Sequence, residues 1–257
     1  MNFIAAGLSD VGLQREHNED SFCILPEHRL FVVADGMGGH RAGDIASRMA
    51  TSEVKAFFDA TDVDADGDSW PAQGKAELHP DQSRLVSAVK LANQRIFQAS
   101  LRNRSVQGMG TTIVGALFDR AERKLHVAHV GDSRAYRVRS GEITQLTRDH
   151  SLLNDYLLVM PNLSEAQKQR LPSNVITRAL GMQDAVAVDV CTEGVEAGDV
   201  YVLCSDGLNG MVGDERILDL VHGADGDIER AAKGLVAEAN QNGGEDNVTV
   251  VLVQIAE

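Results

Sequence analysis

The most constraining feature of the sequence is an apolar run, Leu30–Val33, that leads directly into the segment ADGMGGH, Ala34–His40. The apolar run predicts a buried strand. The glycines that follow it allow the backbone to turn sharply and to approach a ligand closely. The pair Asp35-Gly36 would thus bring a carboxylate and a free backbone carbonyl to one place, although an Asp-Gly pair by itself is also typical of an ordinary turn.

Two more acidic residues stand where predicted strands end or begin. Asp206 lies in LCSDGL, and Asp246 lies in GGEDNVTVV. Together with Asp35 they form a set of carboxylates without accompanying His or Cys, which favours Mg²⁺ or Mn²⁺ over zinc. A carboxylate at a strand end can bridge two such ions, and ions about 3.5–4 Å apart are suited to in-line displacement at phosphorus.

Arg15 precedes an acidic pair in the segment REHNED, Arg15–Asp20. The planar guanidinium group binds phosphate oxygens through two parallel hydrogen bonds, so we interpret Arg15 as a phosphate-binding residue. The alternative is a surface salt bridge with Glu16 or Glu19, which contributes little to stability.

The composition limits the classes of partner. A net charge of −14 argues against nucleic acid and anionic membrane surfaces. No apolar run approaches the ~20 residues of a membrane span, and the segment MNFIAAGLSD does not have the pattern of a signal peptide. Three cysteines without metal-ligand spacing suit a reducing compartment, and Cys204 lies in an apolar strand, where we expect it in the core. We therefore predict a cytoplasmic protein.

Apolar periodicity predicts both strands and helices. Residues 109–146 are rich in strands joined by short turns, which indicates antiparallel pairing. Strands at the start, middle and end of the chain, interrupted by pairs of helices, predict two antiparallel sheets with helices outside them. The main helices are expected over residues 46–57, from a cap near Asp81 to Ile96, and over Asp214–Val221 and Ile228–Asn240. Further strands are expected over Val186–Thr192, Val200–Cys204 and Asn247–Ile255.

Two segments depart from this regular pattern. Asp59–Pro80 contains acidic residues with the spacing of a calcium-binding loop, but Gln73 stands where that loop needs a Glu, so a hydrated acidic loop is the better interpretation. Thr147–Arg178 is polar and interrupted by prolines, with one short helix expected at Ser164–Arg170. We interpret this second segment as an inserted flap that selects protein substrates.

Eight motifs together resemble the metal-dependent protein serine/threonine phosphatases of type 2C, in their bacterial branch. They are REHNED, ADGMGGH, GMGTT, VGDSRAY, LTRDHS, ITRALG, LCSDGL and GGEDNVTVV, in that order along the chain. The resemblance covers essentially the whole chain. It implies an α+β fold, a four-layer α-β-β-α sandwich, with residues 1–257 forming one catalytic domain around a binuclear Mn²⁺ or Mg²⁺ centre.

The resemblance also assigns roles to residues. Asp35 is similar to the ligand that bridges the two ions, and the Gly36 carbonyl is similar to a ligand of the second ion. Asp206 and Asp246 match ligands of the first ion. In such a site a metal-activated water attacks the phosphorus, so no phosphoenzyme forms, and the ions neutralise the charge that develops on the phosphoryl oxygens.

Other assignments concern residues around this pair of ions. Glu19 matches an acidic residue that holds the second ion largely through water, with Asp20 in its support, and Arg15 matches the phosphate-binding arginine. Asp132, in VGDSRAY, matches a ligand of a third ion, although a turn residue that bonds its own backbone is the alternative. Gly210 stands where many members carry a further Asp, so we expect the third ion to bind weakly.

The residue after Asp35-Gly36 is Met37, where many eukaryotic relatives have a His that could protonate the leaving alcohol. Met37 cannot transfer a proton, and His40 is a weak substitute. The expected function is hydrolysis of phosphoserine and phosphothreonine in proteins, opposing a bacterial Ser/Thr kinase. Two alternatives are a pseudoenzyme that binds phosphoproteins, against which the retained acidic residues argue, and a phosphatase with one narrow signalling partner.

Overall fold

The structure, a computed structural model, describes residues 2–38, 42–61, 78–119, 121–164, 167, 171–172 and 175–256. Three interpretations of the sequence lie outside this part of the chain, wholly or for the most part. They are the calcium-loop pattern that begins at Asp62, the role considered for His40, and the predicted helix Ser164–Arg170.

The described strands form two sheets. The first has the order β1-β11-β10-β7-β8, and the second has the order β2-β3-β5-β6-β9, with β4 paired to β3. Every strand pair in the described residues is antiparallel, as the short connections predicted. The strands are β1 (Asn2–Asp10), β2 (Asp20–Leu25), β3 (Leu30–Met37), β4 (Gly110–Thr111), β5 (Ile113–Phe118), β6 (Lys124–Val130), β7 (Arg134–Arg139), β8 (Glu142–Gln145), β9 (Asp189–Gly194), β10 (Val200–Cys204) and β11 (Val248–Ala256).

Helices cover the outer face of each sheet. The pair α1 and α2 packs on the second sheet, and the helices that follow β10 pack on the first. Helix α2 begins with a capping box, in which the His79 ring accepts from the N–H of Asp81 and Gln82 bonds back to the His79 N–H. The helices are α1 (Ala42–Ala60), α2 (Pro80–Arg102), α3 (Leu152–Val159), α4 (Asp206–Asn209), α5 (Asp214–His222) and α6 (Ile228–Gln241).

Strand β3 shows why the molecule has four layers. Its side chains alternate between two faces, and both faces are apolar because both are covered. Leu30 and Val32 pack against α1 and α2, whereas Phe31 and Val33 point into the space between the two sheets. The predicted α-β-β-α sandwich is confirmed.

Strand β10 shows the same alternation in the first sheet. Val202 and Cys204 face the helices, and Tyr201 and Leu203 face the other sheet. Cys204 is fully buried and free, as expected of a core residue, and burial raises the pKa of its thiol to about 12. The thiol is therefore unreactive near neutral pH.

The predicted flap contains a helix that the sequence interpretation missed. Helix α3 begins after Ser151, whose hydroxyl accepts from the N–H of Asn154. None of its residues is fully buried, so its sequence carries little of the periodicity that identifies a helix.

The boundary predicted for β9 was also wrong, because Val186 and Val188 pack on the α1–α2 core before strand pairing begins at Asp189.

No helix in the described ranges combines the length and the apolar character needed to span a bilayer.

Candidate metal centre

The backbone of Asp35 is fixed by hydrogen bonds at the end of β3. Its N–H donates to the Thr112 hydroxyl at 3.0 Å, and its carbonyl accepts from the Thr111 hydroxyl and from the Thr112 N–H, both at 2.8 Å. Asp20 pairs with Asp35 across β2 and β3. Strand pairing therefore places two carboxyl-bearing residues side by side at one edge of the second sheet.

Glycine at two positions lets helix α1 approach this strand end closely. A Cβ on Gly36 would lie 2.1 Å from the carbonyl oxygen of Gly43, the second residue of α1. A Cβ on Gly43 would lie 2.5 Å from Glu19 Oε2 and 2.8 Å from the Gly36 carbonyl oxygen. The Glu19 carboxylate and the Gly36 carbonyl thus converge on one point, which any side chain at Gly43 would fill.

The Asn247 side chain connects the loop between β1 and β2 with the start of β11. Its side-chain oxygen accepts from the Glu19 N–H at 2.7 Å, and its side-chain nitrogen donates to the carbonyls of Val11 and His17 at 2.9 and 3.0 Å. Asn247 is buried and directly follows Asp246. Sequence interpretation missed this positioning role, although an Asn between an acidic residue and a buried strand was a readable signal.

Burial makes the acidic residues of this region difficult to ionise. Burial raises the pKa of Asp35 well above its usual value, and Asp20, Asp206, Asp132 and Asp246 raise it further. Burial is also the main cause that raises the pKa of Asp20 and of Asp132, each to about 7. The pKa of Asp206 is raised by burial and by Asp246. A divalent cation would favour the charged forms of all of them.

Three buried oxygens in this group have no hydrogen-bond donor in the part of the chain that the structure describes: Oδ1 of Asp20, of Asp132 and of Asp206. The other oxygen of Asp20 accepts from the Ser205 hydroxyl at 2.7 Å. Buried acceptors without a donor are rare in proteins, and a cation is one of the groups that satisfies them. The residues present therefore fit hard divalent cations, which take carboxylate and carbonyl oxygens as ligands.

Arg15 is at the rim of the same site. Its Nη2 donates to Asp246 Oδ2 at 2.6 Å and its Nε donates to the Glu245 carbonyl at 3.3 Å, while 54% of its side chain stays exposed. The ion pair is therefore with Asp246 and not with Glu16 or Glu19, the partners of the alternative interpretation. Nη1 has no hydrogen-bond partner in the described part of the chain.

An open cavity of about 360 Å³ brings these groups together. Arg15, Glu19, Asp35, Gly36, Asp206 and Asp246 all line it. Asp20 and Asp132 do not line the cavity, but their charges act on Asp35 in its wall. The structure thus gathers every predicted site residue into one region, six of them around the cavity.

Comparisons with known proteins agree with this geometry. A sequence model of the protein phosphatase 2C family matches residues 14–224. The chain belongs to the protein phosphatase 2C family. It is 36% identical to the protein phosphatase PhpP of Streptococcus pneumoniae, over 97% of this chain and 96% of that protein. It is 33% identical to the serine/threonine phosphatase stp of Listeria welshimeri, over 96% and 93% of the two chains.

A solved structure of the family shows the same architecture. The catalytic domain of the serine/threonine protein phosphatase PstP, crystallised in complex with two manganese ions, superposes with a TM-score of 0.81 at 33% identity, over 99% of each chain. The four-layer sandwich found here is therefore the fold of this phosphatase family.

Two positions singled out in the sequence, Met37 and Gly210, lie at the strand and helix ends that carry Asp35 and Asp206. Met37 ends β3 and lines the cavity, and no imidazole takes the place directly after Gly36. His17 also lines the cavity, a location that sequence interpretation did not foresee, and its carbonyl accepts from the Asn247 side chain at 3.0 Å. Gly210 continues the turn after Asp206, and its N–H donates to the Asp206 carbonyl at 2.7 Å.

Proposed function

We propose that this chain hydrolyses phosphoserine and phosphothreonine esters in proteins with a metal-activated water. The observation that carries the proposal is the set of buried, donor-free carboxylate oxygens of Asp20, Asp132 and Asp206 beside Asp35. Membership in the protein phosphatase 2C family supports the reaction class. A site so acidic binds an anionic phosphate ester only when cations neutralise it.

The ligands follow from the residues that face the cavity. Two Mn²⁺ or Mg²⁺ ions would be held by Asp35, the Gly36 carbonyl, Asp206 and Asp246, with Glu19 on the side of Gly36. When bound, such ions lower the pKa of a water and neutralise charge on the phosphoryl oxygens. A third, weaker ion would use Asp132 beside Asp206.

The protein's own side chains position these groups. The hydroxyls of Thr111 and Thr112 hold the Asp35 backbone, and the Ser205 hydroxyl orients the carboxyl of Asp20. The Asn247 side chain fixes the Glu19 backbone relative to Asp246. Arg15, half exposed at the rim, binds the phosphate through its guanidinium group, so that the ester is aligned before the water attacks.

The decisive experiment is phosphate release from matched phosphoserine, phosphothreonine and phosphotyrosine peptides, in metal-stripped protein and after addition of Mn²⁺ or Mg²⁺. We expect release from the first two peptides only after metal is added, and none after chelation with EDTA. Full activity in thoroughly chelated protein, or a preference for phosphotyrosine, contradicts the proposal. Tight peptide binding without release at every metal concentration identifies a pseudoenzyme.

We also propose that the flap, residues 147–178 of a single catalytic domain, recognises the protein part of the substrate. Leu158 and Val159 on α3 are 64% and 80% exposed, which is unusual for apolar side chains of this size. Ile176, further along the flap, lines the catalytic cavity. Exposed apolar side chains on the flap, together with a flap residue in the cavity lining, suit contacts with the residues that flank a phosphoserine. The partner enzyme would be a Ser/Thr kinase in the same cytoplasm.

If the flap recognises the protein part of the substrate, changes in the flap should affect phosphopeptides and a small aryl phosphate differently. Replacing Leu158 and Val159 by Ser should lower kcat/KM on phosphopeptides severalfold and leave hydrolysis of a small aryl phosphate unchanged. Leu101→Ser is the matched control, because Leu101 is 69% exposed at the end of α2 and does not line the cavity. Equal losses on both substrates would show that these residues support folding and not recognition.

A further inference from the structure

A second group of metal-ligating side chains lies at the other end of the second sheet. It consists of His79 and Asp81 at the start of α2, Asp119 directly after β5, and His126 in β6. One potential ligand atom from each residue lies within 4.8 Å of those of the other three. We call these four residues the His79 cluster.

The His79 cluster is separate from the catalytic cavity. Thr112, at the start of β5, bonds the backbone of Asp35, whereas Asp119 follows the far end of the same strand. Seven residues of extended chain span roughly 20 Å. None of the four residues lines the catalytic cavity.

The His126 ring provides an unsatisfied nitrogen inside this cluster. The residue is only 1% exposed, and its Nε2 has no hydrogen-bond partner among the described residues. Its Nδ1 lies 2.7 Å from the Thr192 hydroxyl, and its ring stacks on that of His79 with centroids 5.0 Å apart. When Nδ1–H donates to Thr192, Nε2 presents a lone pair to the cluster. A hydrogen bond from the second ring nitrogen to an oxygen is the arrangement that orients metal-ligating histidines.

The two carboxyl groups of the cluster lie close to each other, and the charges of Arg29 and His79 act on Asp81. Asp119 Oδ1 accepts from the N–H groups of Ala121 and Glu122, both at 2.5 Å, which leaves Oδ2 facing His79 Nε2 at 3.7 Å. This separation is too long for a hydrogen bond. Burial raises the pKa of Asp81, and the charge of Asp119 raises it further. Two carboxyl groups this close share a proton or a cation.

We propose that the His79 cluster binds one Zn²⁺ ion through His79, Asp81, Asp119 and His126. Two imidazole nitrogens and two carboxylate oxygens form a borderline donor set that suits zinc, unlike the oxygen-only catalytic centre. Four protein ligands leave no open position, which is typical of a structural site. The ion would tie the first turn of α2 to the connection between β5 and β6.

Zinc binding has one local consequence at His79. Its Nδ1 accepts from the Asp81 N–H at 3.3 Å, so a neutral ring carries its proton on Nε2. Coordination through Nε2 moves that proton to Nδ1, and the ring then gives up this long capping contact. The amide signal of Asp81 should therefore shift on zinc binding, which gives a readout that is independent of catalysis.

A second histidine group in the molecule does not carry the same inference. In the group His129, His150 and Asp189, His129 Nε2 lies 2.8 Å from the Arg148 carbonyl and His150 Nδ1 accepts from the Gly131 N–H. The Arg178 guanidinium lies within 2.9 Å of His150 Nε2. The ring nitrogens named here already have partners, and a fixed cation occupies the place that a metal would take.

The test is a Zn²⁺ titration of the full chain, stripped of metal and held in excess Mg²⁺ so that the oxygen-only centre is occupied. The wild type should bind one Zn²⁺ ion tightly at the His79 cluster. In His79→Gln or His126→Gln the affinity for this ion should fall by about tenfold or more, so that it no longer counts as tightly bound. His222→Gln, on the exposed end of α5, is the matched control and should bind zinc as the wild type does.

Two further measurements keep the proposal falsifiable if His126→Gln folds poorly. Co²⁺ substitution should give the intense visible absorption of a tetrahedral site in the wild type and not in His79→Gln. The His79 side chain is partly exposed, so this variant should fold. Zinc should raise the Tm of the wild type and not that of His79→Gln, while Mn²⁺-dependent phosphate release is equal in both. Identical zinc affinity and cobalt spectra in the wild type and both cluster variants would overturn the proposal.

Discussion

Buried polar atoms have different surroundings in the acidic candidate metal centre and in the group His129, His150 and Asp189. In the acidic centre, three carboxylate oxygens have no donor, and the pKa values of the carboxyl groups are raised. In the histidine group, His150 Nε2 and Arg178 lie 3.2 and 2.5 Å from the two oxygens of Asp189, and burial lowers the pKa of His150.

The presence or absence of hydrogen-bond partners for buried polar groups distinguishes a group that supports the fold from a group that binds a ligand. A buried polar group with its partners already in place holds elements together, here the flap and strand β9. A buried polar group without a partner destabilises the fold until a ligand arrives. The acidic centre should therefore gain stability and activity from the same ions, whereas the histidine group should be insensitive to them.

The largest expected effect is that of Asp206→Asn on catalysis. Removing one charged ligand should reduce transition-state stabilisation by ~3–5 kcal/mol, which is roughly 10²- to 10⁴-fold in kcat/KM. Because a buried charge is removed, the metal-free variant should be at least as stable as the metal-free wild type. Kinetics on an aryl phosphate and urea unfolding in EDTA measure the two quantities. A variant that is both active and less stable would make Asp206 a structural residue.

Arg15→Ala should act mainly on substrate binding. Loss of a charge-assisted contact to phosphate is worth about 1.5–3 kcal/mol, so KM should rise about 10- to 150-fold with a smaller change in kcat. Arg48→Ala is the matched control, since Arg48 is also exposed and paired with an Asp, but on α1. A fall in kcat at unchanged KM would instead mean that Arg15 acts through its ion pair with Asp246.

Asp132→Ala should produce a smaller loss. Asp132 stands beside Asp206, but Gly210 contributes no carboxylate, so a third ion would have few charged ligands. The variant should keep about two bound metals at low Mn²⁺ and turn over phosphopeptides severalfold more slowly. Metal counting by native mass spectrometry across a Mn²⁺ titration checks this. Unchanged turnover at every Mn²⁺ concentration would leave Asp132 with the turn role alone.

The smallest effect on catalysis is expected for His150→Gln. It removes the acceptor for the Gly131 N–H and a partner of Asp189, so the free energy of unfolding should fall by about 1–3 kcal/mol. The kcat on an aryl phosphate should stay within about twofold, since no part of this group lines the catalytic cavity. A large loss of kcat in fully folded protein would contradict the distinction between the two regions.

The pH dependence of stability gives a second check on His150. Its folded pKa is lowered by burial, despite Asp189, so the unfolded chain binds more protons in acid. Stability is then fully present above the unfolded pKa of about 6.5 and decreases as pH falls below it. Burial lowers the pKa of His129 as well, so His129 contributes to the same profile, and His150→Gln should flatten its acid side.

The sequence predicted the parts of the molecule that depend on short-range patterns. The strand before Asp35 and the apolar faces of α1 and α6 could be read from spacing, because burial repeats with the period of the element. The layer order followed from these elements, and family membership is confirmed. The metal-ligand assignments of the site residues stay predictions, although all of those residues are gathered in one region.

Long-range contacts could not be read in this way. The ion pair of Arg15 and Asp246 joins residues 231 positions apart, and no local pattern encodes it. The three contacts of Asn247 join residues 228 to 236 positions apart. Helix α3 was missed for another reason, since it has no buried face that would give its sequence a helical period. His79 and His126 have no recognisable spacing, because a capping turn and a strand bring them together only in the folded chain.

The dependence of the site on Asn247 and Asp246 has a consequence for the timing of synthesis. A ribosome adds roughly 5–20 residues per second, so residues 10–20 wait on the order of 10–50 s before their partners exist. During that interval the acidic residues near the start of the chain lack the strand that fixes them. We therefore expect a nascent chain to be inactive toward phosphoproteins until the segment around Asp246 has left the ribosomal exit tunnel.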